Sequence, residues 1–115
     1  MVSIIVITYN QEKTIARTLN SILHQETQYP FEIIIGDDAS TDGTRVICEE
    51  YRNKYPNIIK LNEYHPNYGV VKNYAEALKR CTGKYIMVCA GDDWLHHKKK
   101  VSPAASLCLR SPQPQ

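Results

Sequence analysis

Carboxylate and hydroxyl side chains cluster directly after three apolar stretches of the sequence. The clusters are Thr8-Tyr9-Asn10, Asp37-Asp38-Ala39-Ser40-Thr41-Asp42-Gly43 and Gly91-Asp92-Asp93. Two carboxylates on a tight loop offer the oxygen ligands that Mg²⁺ or Mn²⁺ prefers, and they leave coordination positions for phosphate oxygens. An Asp pair by itself is more often a solvated turn, so the weight of this interpretation rests on the clusters taken together.

The elements that must position these clusters alternate along the chain. Continuous β-branched runs predict strands buried on both faces, and apolar residues at helical spacing predict amphipathic helices. The predicted strands cover residues 2–8, 31–36, 58–61 and 85–89, and the predicted helices cover residues 11–24, 44–55 and 70–81. Because crossovers between parallel strands are right-handed, this β-α-β-α-β-α-β order predicts an α/β fold with a Rossmann-like, mostly parallel sheet and helices on both faces.

Ligands of open α/β sheets bind at the carboxyl ends of the strands, and polar loops follow every predicted strand here. The third strand is followed by His65-Pro66-Asn67-Tyr68-Gly69. We expect the four loops to form one site. Some of the same residues also suit helix capping: Asn10 for the first helix, and Thr41 or Asp42 for the second.

Composition sets the broad class of the protein. The 115 residues are 43% hydrophobic with a net charge of +2, which predicts one globular domain without nucleic acid as a partner or a transmembrane segment. The four scattered cysteines lack metal or redox spacing and, with no signal peptide evident, predict a cytoplasmic protein. The run Lys98–Lys100 leaves a peripheral membrane contact open, and exposed sheet edges predict self-association.

Four motifs in this order resemble the family 2 glycosyltransferases, which have the GT-A fold. The motifs are TYN after the first strand, DDASTDGT after the second, NYG before the third helix and GDDW after the fourth strand. The resemblance covers about Met1 to Trp94 and identifies residues 1–94 as the nucleotide-sugar-binding part of a GT-A fold. Residues 95–115 diverge from the family and are predicted to be a poorly ordered tail without the acceptor-binding half.

The resemblance implies an inverting transfer of sugar from a nucleotide-diphospho-sugar, with UDP favoured as the nucleotide and a saccharide, lipid or protein as acceptor. Asp93 would bind the divalent cation, and Asp92 would contact the ribose or the metal shell. The remaining donor-nucleotide contacts would come from the first two strand ends and from one basic residue near the NYG motif: Thr8, Tyr9, Asn10, Asp37, Asp38 and Lys72.

Two departures from the family pattern limit what the resemblance implies. Ala90 stands where many relatives have an acidic residue, and residues 94–115 contain no Asp or Glu to serve as the general base that deprotonates an acceptor hydroxyl. A catalytically inactive nucleotide-binding module therefore remains the alternative. A dinucleotide-binding or receiver-type domain is disfavoured because the loop TYNQEK after the first strand lacks the G-x-G-x-x-G fingerprint.

Overall fold

The computed structural model describes residues 1–24 and 30–90, with Ala90 and a further short strand at 108–110 described as backbone only. The strands are β1 (Val2–Thr8), β2 (Phe31–Asp37), β3 (Ile59–Leu61), β4 (Tyr85–Ala90) and β5 (Cys108–Arg110), and the helices are α1 (Ile15–Leu23), α2 (Thr44–Lys54) and α3 (Val70–Arg80). They form one sheet of order β3-β2-β1-β4-β5. The first four strands are parallel and β5 is antiparallel to β4, which confirms the predicted mostly parallel α/β architecture.

Helices cover both faces of the sheet because alternate strand residues point to opposite sides. On one face, Ile4 and Val6 of β1 pack with Leu19 of α1 and Cys48 of α2. On the other face, strand side chains pack against the buried stripe of α3, and this second cluster comprises Ile5, Ile34, Ala77, Cys81 and Ile86. The continuous apolar runs in β1 and β2 therefore reflect burial from both sides.

The first helix is shorter than the sequence predicts. It begins at Ile15 rather than at Gln11, because residues 11–14 form a turn in which the carbonyl of Gln11 accepts hydrogen bonds from the N–H groups of Thr14 and Ile15. The prediction that Asn10 caps this helix is wrong. Asn10 has a left-handed φ of 51°, and its side chain binds the loop after β2 instead.

The strand β5 was not predicted. Residues 108–110 pair with 85–87 in antiparallel register, within a segment for which the sequence predicts poor order. Three residues are too few to show alternation, and their partners lie over twenty positions earlier in the chain. The rest of the predicted tail, residues 95–107 and 111–115, lies outside the described residues.

Three cysteines, Cys48, Cys81 and Cys89, are buried in the two cores and form no disulfide. Burial raises the pKa of Cys48 to about 12 and that of Cys81 to about 11, so both stay protonated at neutral pH. Within the described part of the chain, no helix is both long and apolar enough to cross a bilayer.

A candidate nucleotide site at the carboxyl edge of the sheet

The polar loops converge because the strands that precede them end level with one another. Thr8 of β1 pairs with Asp37 of β2, and Ile7 pairs with Ala90 of β4. One residue beyond β2, the N–H of Asp38 donates to the carbonyl oxygen of Thr8 at 3.0 Å. The register thus brings the loops after β1 and β2, and the exit from β4, to one edge, as the sequence predicts for a parallel sheet.

Asp38 fastens the loop after β3 to this edge. Its Oδ1 accepts the N–H of Tyr68 at 2.7 Å, and its Oδ2 accepts the N–H of Gly69 at 2.9 Å. Its carbonyl oxygen accepts a hydrogen bond from Asn67 Nδ2 at 3.1 Å. Asp38 is only 5% exposed, so these backbone donors compensate a carboxylate that has lost most of its water.

Asp37 is buried and is held by Ser40 and by two side chains that the sequence analysis did not single out, Asn62 and Arg45. Asn62 accepts the N–H of Asp37 and donates to its carbonyl oxygen, both at 2.9 Å, so that one amide side chain prolongs the pairing between β2 and β3. Ser40 donates to Asp37 Oδ1, and Arg45 Nη1 lies 3.8 Å from Asp37 Oδ2. The sequence feature that could have identified Asn62 is its position directly after the strand β3, at the same edge as the predicted site.

Asn10 joins the first two loops. Its Oδ1 accepts the N–H of Thr41 at 2.7 Å, and its own N–H donates to Ser40 Oγ at 2.9 Å. Asp42 Oδ1 accepts the N–H of Thr44, the first residue of α2, at 2.9 Å. The N-cap residue of α2 is Gly43, which makes no side-chain cap hydrogen bond, so the prediction that Thr41 or Asp42 is the cap residue is wrong; Asp42 binds the first helical N–H from one position earlier.

A pocket of about 380 Å³ opens at the same edge, between β1, β4 and the start of α3. Its lining combines apolar walls with polar groups from the first two strand ends: Ile7, Thr8, Tyr9, Gln11, Asp38, Val70, Asn73, Tyr74, Val88 and Cys89. Tyr9 is 46% exposed, whereas Thr8 is buried and donates to Gln11 Oε1 at 2.7 Å. A mostly apolar pocket with a few convergent polar groups suits a small planar or ring-shaped ligand.

Asn73 is a pocket residue that the sequence analysis missed. It is fully buried on α3, and its Nδ2 donates to the carbonyl oxygen of Gly36 at 2.8 Å. Its Oδ1 has no hydrogen-bond partner among the described residues. The signal in the sequence is an amide on the buried stripe of an amphipathic helix, where an apolar residue is the usual choice.

Lys72 extends toward the loop that Asp38 holds. Its Nζ lies 4.2 Å from the ring centroid of Tyr68, and the Tyr68 ring stacks on His65 at 3.9 Å with an interplanar angle of 4°. This cation–π contact keeps the ammonium group on the Tyr68 ring. Of the predicted nucleotide contacts, Thr8, Tyr9 and Asp38 meet at the pocket, Asn10 and Asp37 support the loops behind it, and Lys72 contacts the neighbouring loop.

The predicted metal ligands Asp92 and Asp93 lie outside the described residues. Ala90, the last residue of β4, pairs with Ile7, so the chain leaves β4 at the edge where the pocket opens. Among residues 1–24 and 30–90, no group of three or more His, Cys, Asp or Glu side chains is arranged to hold a metal ion. Carboxylate pairs of the Asp92-Asp93 type remain chemically suited to Mg²⁺ or Mn²⁺.

Similar proteins agree with this architecture. The chain is 38% identical over 111 residues to the uncharacterized protein Rv1520 of Mycobacterium tuberculosis. The aligned residues cover 96% of this chain and 32% of that protein. It is 38% identical over 106 residues to the poly(ribitol-phosphate) β-N-acetylglucosaminyltransferase TarS of Staphylococcus aureus, covering 90% of this chain and 18% of TarS. The chain therefore spans about a third or less of the length of these curated relatives.

Solved structures of glycosyltransferases superpose on this chain as well. A crystal structure of TarS residues 1–349 in complex with UDP superposes with a TM-score of 0.73 at 38% identity, covering 85% of this chain and 29% of that one. The mannosyltransferase PcManGT of Pyrobaculum calidifontis, in complex with GDP-Man and Mn²⁺, superposes with a TM-score of 0.75 at 29% identity, covering 84% and 29%. The sequence model of glycosyl transferase family 2 matches residues 3–107, further than the resemblance up to Trp94, and the chain belongs to that family.

Proposed function

We propose that this chain binds a nucleotide-diphospho-sugar, with UDP as the nucleotide, and contributes the donor site of a glycosyltransferase. Transfer would proceed with inversion to a saccharide, lipid or protein acceptor. The observation that carries the proposal is the pocket at the carboxyl edge of the sheet, where Thr8, Tyr9 and Asp38 meet. TarS, which is 38% identical to this chain, has been crystallised with UDP.

In this proposal, Asp38 has two roles. Its oxygens each accept one backbone N–H from the Tyr68-Gly69 loop, and each carboxylate oxygen retains a lone pair for a further donor. An N–H group on the edge of a base could therefore donate to Asp38 without releasing the loop. The half-exposed ring of Tyr9 provides an aromatic surface beside it, on which a base can stack.

We further propose that Asp93, with Asp92, holds Mg²⁺ or Mn²⁺ near the donor diphosphate. The carboxylates suit a hard cation, and PcManGT, a structural neighbour at 29% identity, was solved with GDP-Man and Mn²⁺. When bound, such an ion supplies Lewis-acid stabilisation of the leaving diphosphate. Lys72 would add a second positive charge for the diphosphate by leaving the Tyr68 ring. Because residues 94–115 contain no Asp or Glu, the proposal assigns no general base to them.

Calorimetric titration of UDP into the protein, with Mn²⁺ and then with excess EDTA, tests the proposal. We expect saturable binding that weakens about tenfold or more when the metal is removed, since the cation offsets the repulsion between carboxylates and diphosphate. The Asp93→Ala variant should lose the metal-dependent part of the binding. Glu50→Ala, which removes an exposed carboxylate from α2, should bind as the wild type does.

Two results would contradict the proposal. One is the absence of binding by UDP, GDP and ADP in the presence of either metal. The other is equal metal dependence in Asp93→Ala and the wild type, which would refute the metal assignment while leaving nucleotide binding in place. A cytoplasmic location, a peripheral membrane contact and self-association through sheet edges stay predictions from the sequence.

A further inference from the structure

Gln11 stands in the loop after β1, and all but one of its polar groups are engaged within the protein. Its N–H donates to Thr44 Oγ1 at 2.8 Å, and its carbonyl oxygen accepts the N–H groups of Thr14 and Ile15 at 3.0 and 2.9 Å. Its side-chain Oε1 accepts the hydroxyl of Thr8 at 2.7 Å. The residue is thus held by the end of β1 and by the starts of α1 and α2.

The remaining polar group of Gln11 is the amide nitrogen Nε2, which donates to no atom of the part of the chain that the structure describes. In that part, the buried side-chain nitrogen and oxygen atoms that lack a partner belong to four other residues: Asp37, His65, Asn73 and Arg80. Because Gln11 is half-buried and its Nε2 is not one of these enclosed atoms, Nε2 keeps accessible surface. A ligand can therefore reach it without any movement of the protein.

The amide end of Gln11 lies at the pocket on the carboxyl edge of the sheet. Both Gln11 and Thr8 line this pocket of about 380 Å³. Gln11 also borders a smaller pocket, of about 270 Å³, which residues 10–14 and Asp42 form and which Thr8 does not line. Because Oε1 is bound to the hydroxyl of Thr8, the amide belongs to the larger pocket, and Nε2 offers that pocket its hydrogens.

Thr8 determines which end of the amide is presented to a ligand. Thr8 is 1% exposed, and among the described residues Gln11 Oε1 is the only acceptor for its hydroxyl. If the amide were reversed, Nε2 would donate to the Thr8 oxygen, and the buried hydroxyl hydrogen would have no acceptor, which is costly inside a protein. The pocket is therefore presented with a hydrogen-bond donor rather than an acceptor.

We propose that Gln11 is a specificity-determining residue of the donor site: Nε2 donates to O4 of uracil and so selects uracil over cytosine, and Thr8 positions the amide for this contact. The inference rests on the proposed nucleotide function. Cytosine carries an amino group in place of O4, so its hydrogens would face those of Nε2, and two donors would be left unpaired. The amide is thus complementary to a carbonyl oxygen and not to an amino group.

Asp38 and Gln11 suit neighbouring atoms on one edge of the base. Both are joined to Thr8, whose carbonyl oxygen accepts the N–H of Asp38 at 3.0 Å and whose hydroxyl donates to Gln11. In uracil, the N3–H group that Asp38 would accept lies next to O4. Because the charged diphosphate stays near water, the base enters with the edge that is remote from the ribose, and O4 rather than O2 lies on that side. Guanine presents the same N–H and carbonyl pair, so CDP, which differs from UDP only at this edge, is the informative competitor.

Calorimetric titration of UDP and of CDP, each with Mn²⁺, tests the inference through the ratio of the two Kd values. We expect the wild type to bind UDP about tenfold or more tightly than CDP. Gln11→Glu, which presents an acceptor in place of the donor, should lower this preference about tenfold, and Gln11→Met, which presents neither, about fivefold. The ratio is informative because a general effect on charge or folding weakens both nucleotides alike.

The positioning role of Thr8 has its own variant, Thr8→Val. Valine keeps the branched shape but offers no hydroxyl, so the Gln11 amide can present either end, and the preference for UDP should fall about threefold or more. Asn57→Asp makes the same change from amide to carboxylate as Gln11→Glu, at an exposed position before β3, and should keep the ratio within about twofold of the wild-type value. The side-chain NH₂ signals of Gln11 in ¹H–¹⁵N spectra should shift more with UDP than with CDP.

The inference is overturned if the wild type binds UDP but the preference over CDP is unchanged in the Gln11 variants, because the amide would then contact a part that both nucleotides share. That result would leave the proposed function in place. A wild type that binds no nucleotide would refute the proposed function, and this inference with it. An unchanged preference in Thr8→Val would overturn the positioning role of Thr8. Circular dichroism shows whether each variant is folded, and Gln11→Met keeps the test decisive if Gln11→Glu does not fold.

Discussion

At the scale of single residues, the carboxylates of Asp37 and Asp38 at the carboxyl edge of the sheet hold the surrounding loops in place, in addition to any contact that they make with a ligand. Asp38 was predicted as a contact to the donor nucleotide, and the structure shows that both of its oxygens also bind the backbone of the Tyr68-Gly69 loop. Asp37 was predicted beside it, and it is enclosed by Ser40, Arg45 and Asn62. Residue type identifies such positions, but only the contacts show how the carboxylates are used.

The first prediction concerns Asp38→Asn. Asparagine has one oxygen, so it can accept only one of the two backbone N–H groups and turns its own NH₂ toward the other. We expect the free energy of unfolding to fall by about 1–3 kcal/mol, as for a buried donor left unpaired. Urea denaturation at neutral pH measures this value. Glu50→Gln, the same change at an exposed position, should be neutral, and an equally neutral Asp38→Asn would contradict the anchoring role.

At the scale of elements, α3 is docked on the sheet by one buried amide as well as by apolar packing. Asn73 Nδ2 binds the carbonyl oxygen of Gly36 in β2, and the two residues approach closely. A Cβ at Gly36 would lie 2.9 Å from Asn73 Oδ1 and 3.2 Å from Ile7 Cδ1. Glycine at this strand position is therefore required by the close approach of the helix rather than by a special φ.

We accordingly predict that Gly36→Ala lowers the free energy of unfolding by about 1–3 kcal/mol, because the new methyl group forces the helix or the Asn73 side chain to shift. Urea denaturation provides the measurement. In the Asn73→Ala background the same substitution should cost less, since the nearest obstacle is gone. Strictly additive losses in the double variant would show that the two residues do not interact.

At the scale of the whole molecule, a buried charge network at the amino-terminal edge joins three strands and the turn before β4. Glu32 Oε2 accepts from Ser3 Oγ at 2.6 Å and from the N–H of Thr82 at 2.7 Å. Glu32 Oε1 pairs with Lys60 Nζ at 2.8 Å. The network at the amino-terminal edge stabilises the fold, whereas the candidate site lies at the opposite, carboxyl edge.

The network makes the stability depend on pH. Burial by itself raises the pKa of Glu32, but hydrogen bonds from Lys60, Ser3 and Thr82 outweigh it and hold the pKa below its ordinary value. A carboxylate with a lowered pKa in the folded state stabilises the protein above its unfolded-state pKa, and this contribution is lost as pH falls through the folded-state value. We expect Glu32→Gln to be about 1–3 kcal/mol less stable than the wild type at pH 7.

That difference should shrink as the pH falls below the ordinary pKa of a glutamate, about 4.3, because the unfolded chain then takes up a proton that Glu32 in the folded protein does not. Urea denaturation of both proteins at a series of pH values from 7 downward follows the change. Glu50→Gln serves as the reference for an exposed carboxylate. A stability difference between Glu32→Gln and wild type that is constant over the whole series would argue against ionisation of Glu32 as the source.

The sequence by itself determined the order of strands and helices and the placement of polar loops after the strands. Both follow from local information, because a β-branched run such as Val2–Thr8 and the apolar stripe of α3 show their periodicity within one element. The placement of polar loops after parallel strands also predicted that Thr8, Tyr9 and Asp38 would lie close together, since parallel strands end at a common edge. The family motifs pointed to the kind of ligand.

Only the tertiary structure decided what each polar residue contacts. Asn10 binds the second loop instead of capping α1, Asn62 pairs with the backbone of Asp37, and β5 pairs with β4 across a long separation in sequence. These contacts depend on where separate elements meet in space, and no periodicity within one segment records that arrangement.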